Sequence, residues 1–439
     1  MDPPQGRVKE SESSRERLQP FLRRSVLLLG VKDDGRRRAE TMKRLSTVTA
    51  TAAALTFAVG LAAAPAAQAA ETRSFRQAFP AGKTELRLAN LAGRIELTHG
   101  QGREVVVDAT AHAEAGSSAE TQRLLQGMKW VKGRDREGQE EWVLTYPVEK
   151  YRSYTYPRPG KEGSASSFLG FLEQQGHTST TYRGQKVKIY GQKRSSAPIL
   201  YVDLKIALPA DSAVFVRNAV GNVRGGELEG VLTVDTGSGD VQIASYAGNL
   251  TVDTGSGDVV LGSARGETLI DTGSGDVTVR RLIGNGLVDT GSGDVVVENV
   301  SAGKLSIDTG SGDVEVRKGT AARVMADTGS GNVRIIEVEL EELLADTGSG
   351  DILIRSSLAK ARRVVTDTGS GDVEIHAGPN ASFDIESDQG SGELIVGYAD
   401  ASLRRSGRKV VGARRGDGRT VIHVETGSGD CSISPKDQR

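Results

Sequence analysis

The sequence predicts an all-β protein, a parallel β-solenoid of about eleven short coils with a small helix-and-loop insertion and a C-terminal capping hairpin. Three observations lead there. The sextet DTGSGD returns again and again along the second half of the chain. The residues on either side of it alternate between apolar and polar. The composition, with 55 Gly and only 4% aromatics in 439 residues, suits short strands joined by tight turns better than a core built on rings.

The glycine before the second acid of the sextet falls at positions 239, 257, 275, 293, 312, 331, 350, 371, 392 and 429, so the steps are 18, 18, 18, 19, 19, 19, 21, 21 and 37 residues. Weaker copies surround Gly221 ("VRNAVGNV") and Gly93 ("RLANLAGRIEL"). Periods near twenty residues signal a solenoid or array, whereas propeller blades need about 40 or more. In "GNLTVDTGSGDVVLGSAR", Leu250 and Val252 precede the turn and Val259 and Leu261 follow it. Period-two alternation puts all four on one face of two short strands. One such unit cannot bury that face alone. Units stacked at about 4.8 Å can, with the extra residues of the longer coils bulging at the looser arc. Antiparallel hairpins, each copy folding back on itself, are the competing geometry.

The elements follow in order. Residues 1–41 are polar and charged and read as an extension from a start placed too far upstream, Met42 being the better start. Residues 42–69 have a Lys43-Arg44 start, an apolar run and the ending Ala67-Gln68-Ala69, the anatomy of a signal peptide cut before Ala70. Beyond it no long apolar run remains, so no integral membrane segment is expected after cleavage, and a periplasmic or extracellular location follows. Residues 70–116 supply the first strands of the solenoid. Residues 117–197 break the repeat with a short helix at "SSAETQRLLQGMKW" and then a Tyr/Gly/Ser-rich stretch. Residues 198–396 carry the repeats. Residues 397–439, a basic hairpin and the final repeat, are expected to act together as the C-terminal cap.

Charge is divided unevenly. Residues 231–396 hold 27 Asp/Glu against 12 Lys/Arg, and residues 397–424 hold 7 Lys/Arg against 2 Asp. An acidic body argues against nucleic acid as a partner. The single Cys431 excludes an intramolecular disulfide and reads as a small strand residue.

If the valines of each unit point inward, the two acids of each sextet point outward and stack into two columns, which include Asp253, Asp271 and Asp289 before the turn and Asp258, Asp276 and Asp294 after it. Neighbouring carboxylates one level apart repel by roughly 1 kcal/mol in water. Two offsets suit the residues. The favoured one has each carboxylate accept hydrogen bonds from its own TGSG arc. The other is calcium held between turns by Asp253, Asp258, Asp271, Asp276, Asp289 and Asp294. Apart from calcium no cofactor is implied. "DTGSGN" at Asn332 fits the first reading, since Asn keeps the acceptor and loses the charge.

The run "TELRLANLAGRIELTHG", then "LYVDLKIALPADSAVFVRNAVGNV", then serial "VDTGSGDV" units resembles the bacterial putative-adhesin β-strand-repeat family, a domain of unknown function, over residues 75–115 and 198–434. The resemblance implies a β-solenoid-like fold outside the cytoplasm, an adhesin role and no catalytic residues. The five His are scattered without triad or metal spacing, which also points to a non-catalytic protein. The expected function is a scaffold binding a cell-surface or polysaccharide partner. A calcium-stabilised self-associating rod and a polysaccharide-acting enzyme are the alternatives. Six of the nine Tyr lie between Tyr146 and Tyr190, a composition of adaptable contact surfaces. The expected contact residues are Tyr151, Tyr154, Tyr156, Phe168, Phe171 and Tyr182.

Overall fold

A computed structural model describes residues 70–135, 137–157, 177–194 and 196–436. The proposed extension 1–41, the signal segment 42–69, and Phe168 and Phe171 lie outside the described residues.

The copies stack in parallel and in register. Asp235 sits beside Asp253, Asp253 beside Asp271, Asp271 beside Asp289, and so on through Asp308, Asp327, Asp346 and Asp367. The strands after the turn pair the same way, Val241 with Val259, Val277 and Val295 in succession. Alternate side chains therefore form continuous ladders. Val234, Val252, Ile270, Val288 and Ile307 are all buried to within a few per cent. Each CH2 so buried contributes about 0.8 kcal/mol, which is what a lone copy lacks. Cys431 belongs to such a ladder and is fully buried.

The extra residues enter where the alternation predicts. Ile283 is level with Ser301, a step of 18, but Gly286 is level with Leu305, a step of 19. The added residue thus lies between Ser301 and Leu305, away from the glycine arc.

The weak copy around Gly93 is a true level. Leu86–Ala92 pairs with Ala213–Val220, and Ile95–His99 with the start of Val223–Thr236. On its far side the sheet turns antiparallel, through Ile199–Leu208, Glu104–Glu114 and Glu71–Pro80. The insertion closes this end. Its helix, Ser118–Gly127, starts at Ser117, whose hydroxyl accepts the Glu120 N–H at 3.2 Å. Among the described residues no helix is long and apolar enough to cross a membrane.

At the other end the levels leave sequence order. Thr420–Thr426 pairs with Arg363–Thr368 on one side and with Phe383–Gln389 on the other. Cys431–Pro435 likewise lies between Val373–Ala377 and Leu394–Val396. The final repeat is therefore an inner level, which corrects its expected place in the cap. The outermost level is 383–396, and the hairpin Ser402–Ser406 with Lys409–Arg415 covers its edge through antiparallel pairing to Phe383–Gln389. Three of the hairpin's cations are held by acids of this end of the chain. Arg404 and Arg414 meet Asp384 at 2.6 and 3.2 Å, and Arg415 meets Asp400 at 2.8 Å.

Candidate functional site

Every letter of DTGSGD answers to a neighbouring level. The glycines come first, because they decide whether levels can approach. A Cβ at Gly312 would lie 1.9 Å from the carbonyl oxygen of Gly293, and one at Gly293 would lie 2.0 Å from that of Gly275. Only glycine lets the backbones pass.

That close passage buries carbonyls in the arc, and the threonine of the next level satisfies them. Thr254 Oγ1 donates to Gly239 O at 3.4 Å, Thr309 to Gly293 O at 3.2 Å and Thr368 to Gly350 O at 2.9 Å. These threonines are buried, so an unmet carbonyl would cost about 1–3 kcal/mol each. Sequence reasoning overlooked this role. The signal was available, since Thr recurs in every strong copy but the one around Gly392, although its hydroxyl points into an apolar core.

The acid after the arc forms a hydrogen-bonded ladder. Asp258 Oδ1 accepts the Asp276 N–H at 3.1 Å, Asp276 accepts that of Asp294 at 2.9 Å, and Asp294 that of Asp313 at 2.8 Å. The ladder continues through Asn332, whose Oδ1 accepts the Asp351 N–H at 2.9 Å. Asn222 does the same for Asp240 at 3.1 Å in the weak copy. The donors come from the next level, not from the same arc, which corrects the local-turn expectation. The reason is geometric: parallel stacking at one-strand spacing brings the next N–H onto the carboxylate. At Asp313 burial pushes the carboxyl up, but the Asn332 N–H and the Arg334 and Asn332 side chains outweigh it and hold it below the ordinary value. Arg334 Nη1 stands 2.6 Å from Asp313 Oδ2.

Three acids before the arc behave in the opposite way to Asp313. Asp253, Asp271 and Asp289 are half-buried on the outward side of the strand. Burial, then the charges of Asp235 and Asp271, raise Asp253 to about 7, against a weaker downward pull from Arg217. Burial, then Asp271 and Asp308, raise Asp289 to about 6. Burial alone raises Asp271. At the start of this column Arg217 pairs with Asp235 at 2.8 Å and with Glu141 at 3.5 Å, beside the Phe215 ring. Arg87 stacks on the same ring at 3.8 Å and pairs with Asp135 at 3.0 Å. Arg217 and Asp235 are one repeat step of 18 residues apart, but no spacing in the sequence joins them to Arg87, Asp135 and Glu141, which reach them through the first level and the insertion.

The six acids considered for calcium thus divide into two sets on either side of the arc. Asp258, Asp276 and Asp294 already each give one oxygen to a backbone N–H. Among the described residues no group of three or more His, Cys, Asp or Glu is gathered as a metal cluster requires.

The tyrosines go inward. Tyr154, Tyr156 and Tyr182 are 0%, 8% and 5% exposed, so they are core residues and not a displayed contact surface, which corrects that expectation. The Tyr182 hydroxyl donates to Leu144 O at 2.8 Å, and the Tyr146 hydroxyl donates toward Asn90 Oδ1 at 3.0 Å. Tyr151 is partly buried against the core and its hydroxyl meets Glu120. The physical reason is the end of the stack: an open level needs wide apolar cover with polar tips that reach backbone carbonyls, and Tyr supplies both.

Several comparisons bear on identity. Solved structures similar to this chain include a "putative cell adhesion protein" of Clostridium sporogenes, 9% identical, with 83% of this chain and 100% of that chain covered at a TM-score of 0.16. A "putative adhesin" of Parabacteroides distasonis is 12% identical over 82% of this chain and 97% of that one, at 0.29. A "putative lipid binding protein" of the same organism is 10% identical over 82% and 96%, at 0.31. At these TM-scores the likenesses carry no argument. No curated protein matches. Residues 267–434, a stretch of parallel glycine-arc levels, match the family described as Toastrack DUF4097.

Proposed function

We propose that the chain from Ala70 onward is a non-catalytic β-solenoid scaffold, exported to the periplasm or cell exterior by segment 42–69, that binds a cell-surface or polysaccharide partner along its outward rows. One observation carries this reading: the same outward groups recur in register at level after level. A surface that repeats suits a ligand that repeats, as extended solenoid faces do. Acid–base catalysis needs one pair of carboxyls set apart from its surroundings. Here the same hydrogen-bonded carboxylate ladder recurs at level after level and singles out no one pocket.

The test is to incubate the purified chain with a panel of acidic and neutral polysaccharides. Retention of a polymer without release of new reducing ends is the expected result. Release that disappears in Asp258→Asn would overturn the proposal. Export is checked by N-terminal sequencing of the secreted product, expected to begin at Ala70.

A further inference from the structure

The displaced final repeat has no counterpart in the sequence pattern. Steps of 21 residues lead from Gly350 to Gly371 and again from Gly371 to Gly392, so sequence order would stack 383–396 directly on 363–377. Instead 420–435 lies between them. A Cβ at Gly429 would meet Gly371 O at 1.9 Å, and one at Gly392 would meet Gly429 O at the same distance. Around its arc the inserted segment uses the ties that any copy makes to its neighbours. Thr426 Oγ1 donates to Gly371 O at 3.1 Å, the Asp430 N–H to Asp372 Oδ1 at 2.8 Å, and the Glu393 N–H to Asp430 Oδ1 at 2.9 Å. Its link to the rest of the chain is one tight turn, where Gly416 and Gly418 have φ of 64° and 71°.

The outer wall holds it less completely than an inner level would. Gln389 stands level with Thr426 where the repeat has Thr, and its buried Oε1 has no hydrogen-bond partner. After the arc the outer wall offers only the three-residue strand Leu394–Val396. Both walls are complete before the inserted segment begins in the chain.

We propose that the level between 363–377 and 383–396 is a strand-acceptor slot, filled by the chain's own residues 420–435 and able to take the same segment from a second copy, giving a strand-exchanged dimer. A second copy is the fitting partner because it carries the matching alternation Ile422, Val424, Cys431, Ile433 and the glycine arc. Contacts in the slot are then identical from either source, and only the hinge at 416–418 and the concentration differ.

Cys431 reports the slot directly. It lies in register with Val373 on one wall and Leu394 on the other, and burial pushes its thiol up to about 12, so the closed slot is unreactive. In the unaltered chain, alkylation of Cys431 is expected well before global unfolding, with a denaturant dependence severalfold weaker. In Val373→Cys, oxidation after refolding should link the introduced thiol to Cys431 within one chain when dilute. The interchain share should rise at least about fivefold over a roughly hundredfold increase in refolding concentration. Links that stay within one chain at every concentration would overturn the exchange, as would Cys431 labelling only with the whole stack unfolded. If Val373→Cys does not fold, the labelling of the unaltered chain decides alone.

Discussion

Gly312, inside the repeated sextet, and Gly82, outside any copy, differ completely in what surrounds them. A Cβ at Gly312 would lie inside the contact distance of Gly293, and one at Gly82 meets nothing within 4 Å. Gly312→Ala should therefore cost more than about 3 kcal/mol and Gly82→Ala less than about 0.5 kcal/mol, read as shifts of the urea midpoint. The ladder acids make a second contrast. Asp294→Asn keeps the acceptor for the Asp313 N–H, as Asn332 already does, and should be close to neutral. Asp294→Ala leaves that N–H unmet and should cost roughly 1–2 kcal/mol. The column before the arc makes stability depend on pH. Asp253 and Asp289 titrate near 7 and 6 in the folded chain, against about 3.9 when unfolded. Between those values the folded state holds more protons, so their contribution is full below about pH 4 and is lost as pH rises through 6 and 7. Stability should fall by roughly 2 kcal/mol from about pH 5 to about pH 8 on their account, and Asp253→Asn should remove about two-thirds of that fall. A melting temperature that rises with pH over this range, or is unchanged by the substitution, would contradict the assignment.

At the scale of elements, the parallel coils were legible because their signals are local and repeated. Alternation around Leu250, Val252, Val259 and Leu261 places the strands, and the extra residues of the longer coils fall outside the glycine arc as expected. Three things were not legible. The partner of each ladder carboxylate lies one level away, 18 or 19 residues along, which no local turn rule reveals. The tyrosines of the insertion read as a contact surface because composition does not show that an end of the stack needs covering. The final repeat's place depends on competition between two similar segments for one level, and spacing alone favours the wrong one. The ladder also bears on calcium. Since Asp258, Asp276 and Asp294 are already met by backbone N–H groups, adding calcium or a chelator should move the melting temperature by less than about 1 °C. A rise of several degrees with calcium would show that the acids are ligands.

For the molecule as a whole, a column of like charges is tolerable because each level supplies what the last one lacks: a donor for its carboxylate, a hydroxyl for its carbonyl and an aliphatic for its core. The arrangement holds only if equivalent residues lie one strand apart along a single line of levels. The arc serines Ser274, Ser292, Ser311, Ser330 and Ser370 are exposed and mark those levels. Spin labels placed in pairs on Ser274 and each of the others, in a Cys431→Ala background, measure the spacing directly. The separation should grow linearly by about 4.8 Å per level, reaching about 24 Å for Ser274 with Ser370. Separations that fail to grow with the number of copies between the labels would contradict the stacked solenoid.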